Sequence, residues 1–240
     1  MDDIVDINTL FGPLPSANSD MSVDALVAML QRYEIRSACT LSTLGMLLDP
    51  SVANGATRAA CAEHPDLLPV ATVNPTMYFG DEEAIRALRS DGFCMVRFFP
   101  SAQGWPVDFA PFRALLRPLG ECALPLMLDI EKSGELTALM SVLDGYPGPI
   151  VLAGLRAAML AEAIATLRER QNWHVEISCL LAPGCIGKVV ETVGADRLLF
   201  GSRAPSRPIL SVLNGIRQTG LPEEPRRQIL AGNARRILGR

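Results

Sequence analysis

Eight short runs rich in Val, Ile and Leu recur along the chain, each followed by a segment whose apolar residues fall at helical spacing. This rhythm limits the fold more than any other feature. The first run, Ile4 to Ile7, precedes a helical pattern over Val23 to Tyr33, where Leu26, Met29 and Leu30 share a face. Ser37 to Leu41 precedes Val52 to Glu63, Leu68 to Val73 precedes Asp81 to Arg89, and Phe93 to Phe99 precedes Phe109 to Leu119. In the second half, Leu124 to Ile130 precedes Gly134 to Leu143, and Pro149 to Ala153 precedes Arg156 to Arg170. His174 to Ser178 then precedes Ile186 to Val193, and Leu198 to Gly201 precedes Pro208 to Gln218. A further helix is expected over Glu223 to Leu238.

Strands that are apolar on both faces and separated by helices require a parallel sheet covered by helices. Eight such units in 240 residues predict an α/β fold of the (β/α)8 (TIM) barrel type, one domain over 1–240 with an additional C-terminal helix. A doubly wound open sheet is the rival architecture. Apolar residues make up 49 % of the chain, enough for a large core. The net charge of -4 comes with no basic stripe, which argues against nucleic acid. The apolar runs fall short of a membrane span and MDDIVDINTL lacks the layout of a signal peptide, so a cytoplasmic protein is expected. Six cysteines lie scattered without a CxxC pair and read as small buried hydrophobes.

In a barrel of this kind the working residues project from the C-terminal ends of the strands. Those ends carry Asn8 and Leu10, Thr40 and Ser42, Asn74, Arg97, Asp129, Gly154, Glu176 with Ser178, and Ser202 with Arg203. The two histidines, His64 and His174, fall at the opposite ends of their strands and read as structural. Phe93, Phe98 and Phe99 read as packing between barrel and helices, whereas Trp105 suits either a lid or a surface turn.

Several stretches resemble the amidohydrolase-related family of metal-dependent hydrolases. Asp6-Ile7-Asn8-Thr9-Leu10 resembles its opening D-x-H-x-H segment, and Val73-Asn74-Pro75 its third strand. Pro149 to Gly154 resembles its sixth strand. Gly194-Ala195-Asp196-Arg197-Leu198-Leu199-Phe200-Gly201-Ser202 is similar to its "GADRLLFGSD", and Ile229 to Leu238 to its closing helix. The resemblance implies a divalent metal, often zinc, held by histidines on strands one, five and six and by an aspartate on strand eight. Here those positions read Asn8, Leu10, Asp129, Gly154 and Arg203. Leu10 and Gly154 have no donor atom, and Arg203 places a fixed cation where an anion is needed. The expectation is a divergent member with no metal and no cofactor.

The guanidinium of Arg203 is expected near the lost metal position, paired with Asp129 or Glu176. Alternatively Arg97 and Arg203 converge on a small anionic ligand, with Asn8, Ser42 and Ser178 supplying neutral hydrogen bonds. Two function classes follow. One is a non-catalytic small-acid-binding or scaffolding protein, with a small anion and a second copy of the chain as candidate partners. The other is a metal-independent or weakly metal-assisted hydrolase, lactonase or decarboxylase acting on a small carboxylate, with Asp129 or Glu176 as the catalytic group.

Overall fold

The computed structural model describes residues 3–15 and 19–239. The strands β1 (Val5–Leu14), β3 (Ser37–Ser42), β4 (Leu67–Thr72) and β5 (Met95–Phe98) pair in parallel, as do β6 (Leu126–Asp129), β7 (Ile150–Ala153), β8 (Trp173–Glu176) and β9 (Leu198–Leu199). The short β2 (Ser19–Met21) pairs antiparallel with the far end of β1. Three backbone hydrogen bonds close the barrel by tying the segment after β9 to β1. Ile7 donates to Phe200 at 3.1 Å, Arg203 to Asn8 at 2.8 Å, and Leu10 to Ala204 at 2.8 Å.

Alternation along each strand splits the apolar core in two. One cluster gathers Val5, Ile7, Cys39, Leu41, Leu68, Val70, Met95, Met127, Val151, Ala153 and Leu199, and residues drawn from this many strands meet only inside the barrel. The other joins the opposite strand faces, such as Val96, Phe98, Leu126, Leu128, Ile150 and Leu152, to the helical layer. That layer includes α1 (Val23–Arg32), α3 (Pro50–Glu63), α4 (Glu82–Ser90), α6 (Ala110–Glu121), α7 (Glu135–Val142), α8 (Leu160–Glu169), α9 (Cys185–Val193) and α10 (Ile209–Arg217). Helix starts follow local chemistry. Ser22, Asp49 and Asp81 each accept from a backbone N–H in the first turn of α1, α3 and α4.

Several expectations need correction. β1 runs seven residues beyond Ile7, and β2 was not foreseen. Two four-residue helices, α2 (Leu44–Leu47) and α5 (Pro100–Gln103), follow β3 and β5. The closing helix spans the expected residues but is not α-helical throughout: a π turn over Gln228–Gly232 joins α11 (Glu223–Arg227) to α12 (Asn233–Leu238) without a break. Trp105 forms neither a lid nor a surface turn. Its ring is buried against Phe98 and Phe112, with centroids 6.1 and 5.0 Å away. Among the described residues no helix is long and apolar enough to cross a membrane.

Candidate functional site

Near the start of β1 a bulge between Asp6 and Thr9 interrupts the alternation. Ile7 and Asn8 therefore both reach the barrel interior, while Asp6 turns towards the strand-nine segment. Oδ1 of Asp6 accepts from the backbone N–H of Asn8 at 3.0 Å and of Ser202 at 2.9 Å. Asp6 thus staples the first strand to the last, a role that its place in the D-x-N-x-L segment did not reveal.

Asn8 is the hinge of a polar network that plugs the barrel. Its Oδ1 accepts from Nη1 of Arg97 at 2.6 Å, and its Nδ2 donates to Oε2 of Glu176 at 3.0 Å. Arg97 donates from Nε and Nη2 to Oδ1 of Asp129 at 3.1 and 2.8 Å, and its guanidinium lies 4.6 Å from the Phe99 ring centroid. Oδ2 of Asp129 accepts from Nη2 of Arg203 at 2.8 Å. Ser178 donates from Oγ to Oε2 of Glu176 at 2.9 Å, and its backbone N–H donates to Oε1. Six of the seven expected site residues, Asn8, Arg97, Asp129, Glu176, Ser178 and Arg203, therefore meet in one network. Ser42 stays outside it: its Oγ faces the N–H of Leu44 at 3.4 Å, and its own N–H donates to Thr57.

Close approach is needed for this assembly. A Cβ on Gly201 would lie 2.6 Å from Cγ of Glu176 and 2.8 Å from Cβ of Asn8. Arg203 adopts φ 59°, the left-handed region that non-glycine residues seldom occupy. Burial raises the pKa of Glu176, opposed by the hydrogen bonds from Ser178 and Asn8. Burial also pushes Asp6 up to about 7, opposed by hydrogen bonds from Ser202 and Asn8. For Arg203, burial disfavours the charged form, but the negative charge of Asp129 outweighs it and the pKa is raised.

Arg203 also faces outward. With Nη1 3.9 Å from Sγ of Cys179, it lines a pocket of about 430 Å³ together with Gly154, Arg156, Cys179, Arg207 and Glu131. These residues come from the loops after β6, β7, β8 and β9, the end of the barrel expected to carry function. Arg156 and Arg207 were not singled out from sequence, because an arginine in a loop looks the same whether it lines a pocket or a surface. Larger depressions of about 520 and 440 Å³ lie in the outer layer, beside Cys61 and Pro69 and beside Arg117 and Tyr146.

The donor set does not fit the divalent metal that the family pattern implies. Leu10 is buried and apolar, Gly154 has no side chain, both ends of the Asn8 amide are engaged, and both oxygens of Asp129 accept from arginines. Among the described residues, no group of three or more His, Cys, Asp or Glu is arranged to hold a metal ion. His174 is buried, with its pKa lowered to about 4 by burial and by the charges of Arg197 and Arg236. His64 faces Asp24 at 3.5 Å on the helical layer.

The comparisons with known proteins agree on the fold. The structure of 2,6-dihydroxybenzoate decarboxylase complexed with 2,6-dihydroxybenzoate is similar over 100 % of both chains, with a TM-score of 0.81 and 16 % identity. A candidate 2-pyrone-4,6-dicarboxylic acid hydrolase from Pseudomonas putida is similar over 100 % of this chain and 98 % of its own, with a TM-score of 0.78 and 19 % identity. A TIM-barrel protein from Bordetella bronchiseptica covers 99 % of this chain and 100 % of its own, with a TM-score of 0.76 and 18 % identity. A comparison with curated protein sequences finds no match. A sequence model described as amidohydrolase matches residues 50–240, and on that match the chain belongs to the amidohydrolase family.

Proposed function

We propose that this barrel binds a small carboxylate at its mouth and works without a metal. The observation that carries the reading is the double engagement of Arg203. It is anchored from behind by Asp129 at 2.8 Å and lines a pocket of about 430 Å³ beside Arg156 and Arg207. A guanidinium held by a buried carboxylate is pre-oriented, so less side-chain freedom is lost when a ligand carboxylate meets its free N–H groups. Two of the structural relatives, the 2,6-dihydroxybenzoate decarboxylase and the candidate 2-pyrone-4,6-dicarboxylic acid hydrolase, are named for aromatic and pyrone acids, which makes aromatic carboxylates the first ligands to try.

Metal-free catalysis by Glu176 or Asp129 fits the geometry less well. Glu176 is fully buried, and both oxygens of Asp129 are already bonded to arginines. A general base needs hydrogen-bond reach to the ligand proton it takes. Titration calorimetry with benzoate, 2,6-dihydroxybenzoate and small dicarboxylates tests the proposal. Saturable binding that weakens at least tenfold in Arg203→Met and Arg156→Met is expected. Absence of binding across the panel, or binding indifferent to both substitutions, would count against it.

A further inference from the structure

Exposed apolar side chains are unevenly distributed. Among the described residues the exposed large hydrophobics are Leu47, Leu48, Val52, Met77, Phe79 and Leu210, and all but Leu210 fall within the loops and helix starts after β3 and β4. Phe79 is 94 % exposed and Leu48 71 %. A scattered exposed Leu needs no explanation, but a contiguous apolar patch on a soluble protein marks an interaction surface.

The same face carries a groove. It has a volume of about 380 Å³, lies between the start of α3 and the length of α4, and is lined by Pro50, Val73, Met77, Tyr78, Ile85 and Leu88. Phe79 follows Tyr78 on the segment that forms one wall of the groove. Knob and hole thus sit side by side on one surface. A partner bringing only a knob would leave Phe79 in water, and a partner bringing only a groove would leave this one empty. A second copy of the chain, related by a twofold axis, satisfies both at once, because each contact is then made twice.

Charge does not oppose the pairing strongly. The two aspartates on the groove rim, Asp49 and Asp81, are turned onto helix N-termini, where they accept from Ser51 N at 2.8 Å and Ala84 N at 3.1 Å. One fully exposed aromatic side chain carries roughly 150–250 Å². Two copies of Phe79 with their leucine, valine and methionine neighbours therefore contribute a sizeable part of the roughly 1,000 Å² that a specific interface needs.

We infer that the protein forms a twofold homodimer in which Phe79 of each copy enters the groove between α3 and α4 of the other. This surface borders the strand ends on the β3 and β4 side, whereas the arginine pocket belongs to the β6 to β9 side, so the dimer leaves the pocket open. Light scattering coupled to size exclusion, on the full chain at micromolar concentration, reads the outcome. The wild type is expected at twice the single-chain mass of 25.9 kDa, and Phe79→Glu and Leu48→Glu at the single-chain mass. Leu210→Glu removes an exposed apolar side chain elsewhere and should leave the dimer intact. Circular dichroism should report native helix content in every variant. A wild type with the single-chain mass throughout, or a dimer that survives both groove-face substitutions, would overturn the inference.

Discussion

Arg203 and Asp129 meet at 2.8 Å through Nη2 and Oδ2, and the other oxygen of the same carboxylate is held by Arg97. One carboxylate therefore separates two guanidinium groups. Removing it leaves Arg97, which is fully buried, with an unbalanced charge. Loss of one member of a buried pair typically costs about 3–5 kcal/mol. Asp129→Ala is expected to lower stability by that order in urea unfolding. Arg203→Met should cost clearly less, since Arg203 is partly exposed at the barrel mouth, unlike Arg97, and Arg97 keeps its partner. Equal losses from the two substitutions would mean that Asp129 does not serve Arg97 as described.

Two glycines give opposite expectations. At Gly201 a new Cβ meets Glu176 and Asn8 within 2.8 Å, and forcing extra volume into a packed interior costs roughly 1–3 kcal/mol. At Gly187, inside α9, no neighbour lies within 4 Å, and alanine is favoured over glycine in a helix by roughly 0.5–1 kcal/mol. Thermal melts should therefore move down for Gly201→Ala and up for Gly187→Ala.

The pH dependence has two opposing parts. His174 titrates near 4 in the folded protein against 6.5 in the free side chain, so the unfolded chain binds more protons between these values. Its contribution is present above pH 6.5 and is lost as the pH falls towards 4. Asp6 titrates near 7 against 3.8, so the folded protein keeps a proton that the unfolded chain releases. Its contribution is present below pH 3.8 and is lost as the pH rises through 7. Each slope is limited to about 1.4 kcal/mol per pH unit per proton. Between pH 4 and 6.5 the two offset one another in the wild type. His174→Gln should expose a stability that falls as pH rises, and Asp6→Asn one that rises with pH. Denaturant midpoints across pH 4.5 to 7.5 read both signs.

A barrel without a resident divalent ion should be indifferent to chelation. Protein expressed with supplied zinc and manganese is expected to carry well under one equivalent by elemental analysis, with an unchanged melting temperature after chelator treatment. A stoichiometric metal that is lost in Asp129→Ala would return the site to metal chemistry.

The architecture was legible because it rests on period: alternating apolar strands and helix-spaced segments report their packing directly. The same local pattern named Asn8, Arg97, Asp129, Glu176, Ser178 and Arg203, since strand ends converge in a barrel whatever their sequence separation. Three things lay outside that signal. The extension of β1 depends on β2, a pairing that no residue of Phe11 to Leu14 declares alone. Trp105 is buried by Phe98 and Phe112, neighbours that only the folded chain supplies. Ser42 sits at a strand end like the others, but its hydroxyl turns to the start of α2 rather than to the barrel axis.

The staple between Asp6 and Ser202 spans 196 positions. At a synthesis rate of roughly 5–20 residues per second, the first strand leaves the ribosome about 10–40 s before its partner exists. During that interval β1 has a neighbour on the β3 side and an open edge on the other, a template for unwanted strand pairing. Asp6, whose carboxyl faces that edge until Ser202 arrives, sets there the kind of polar group that discourages edge-to-edge pairing.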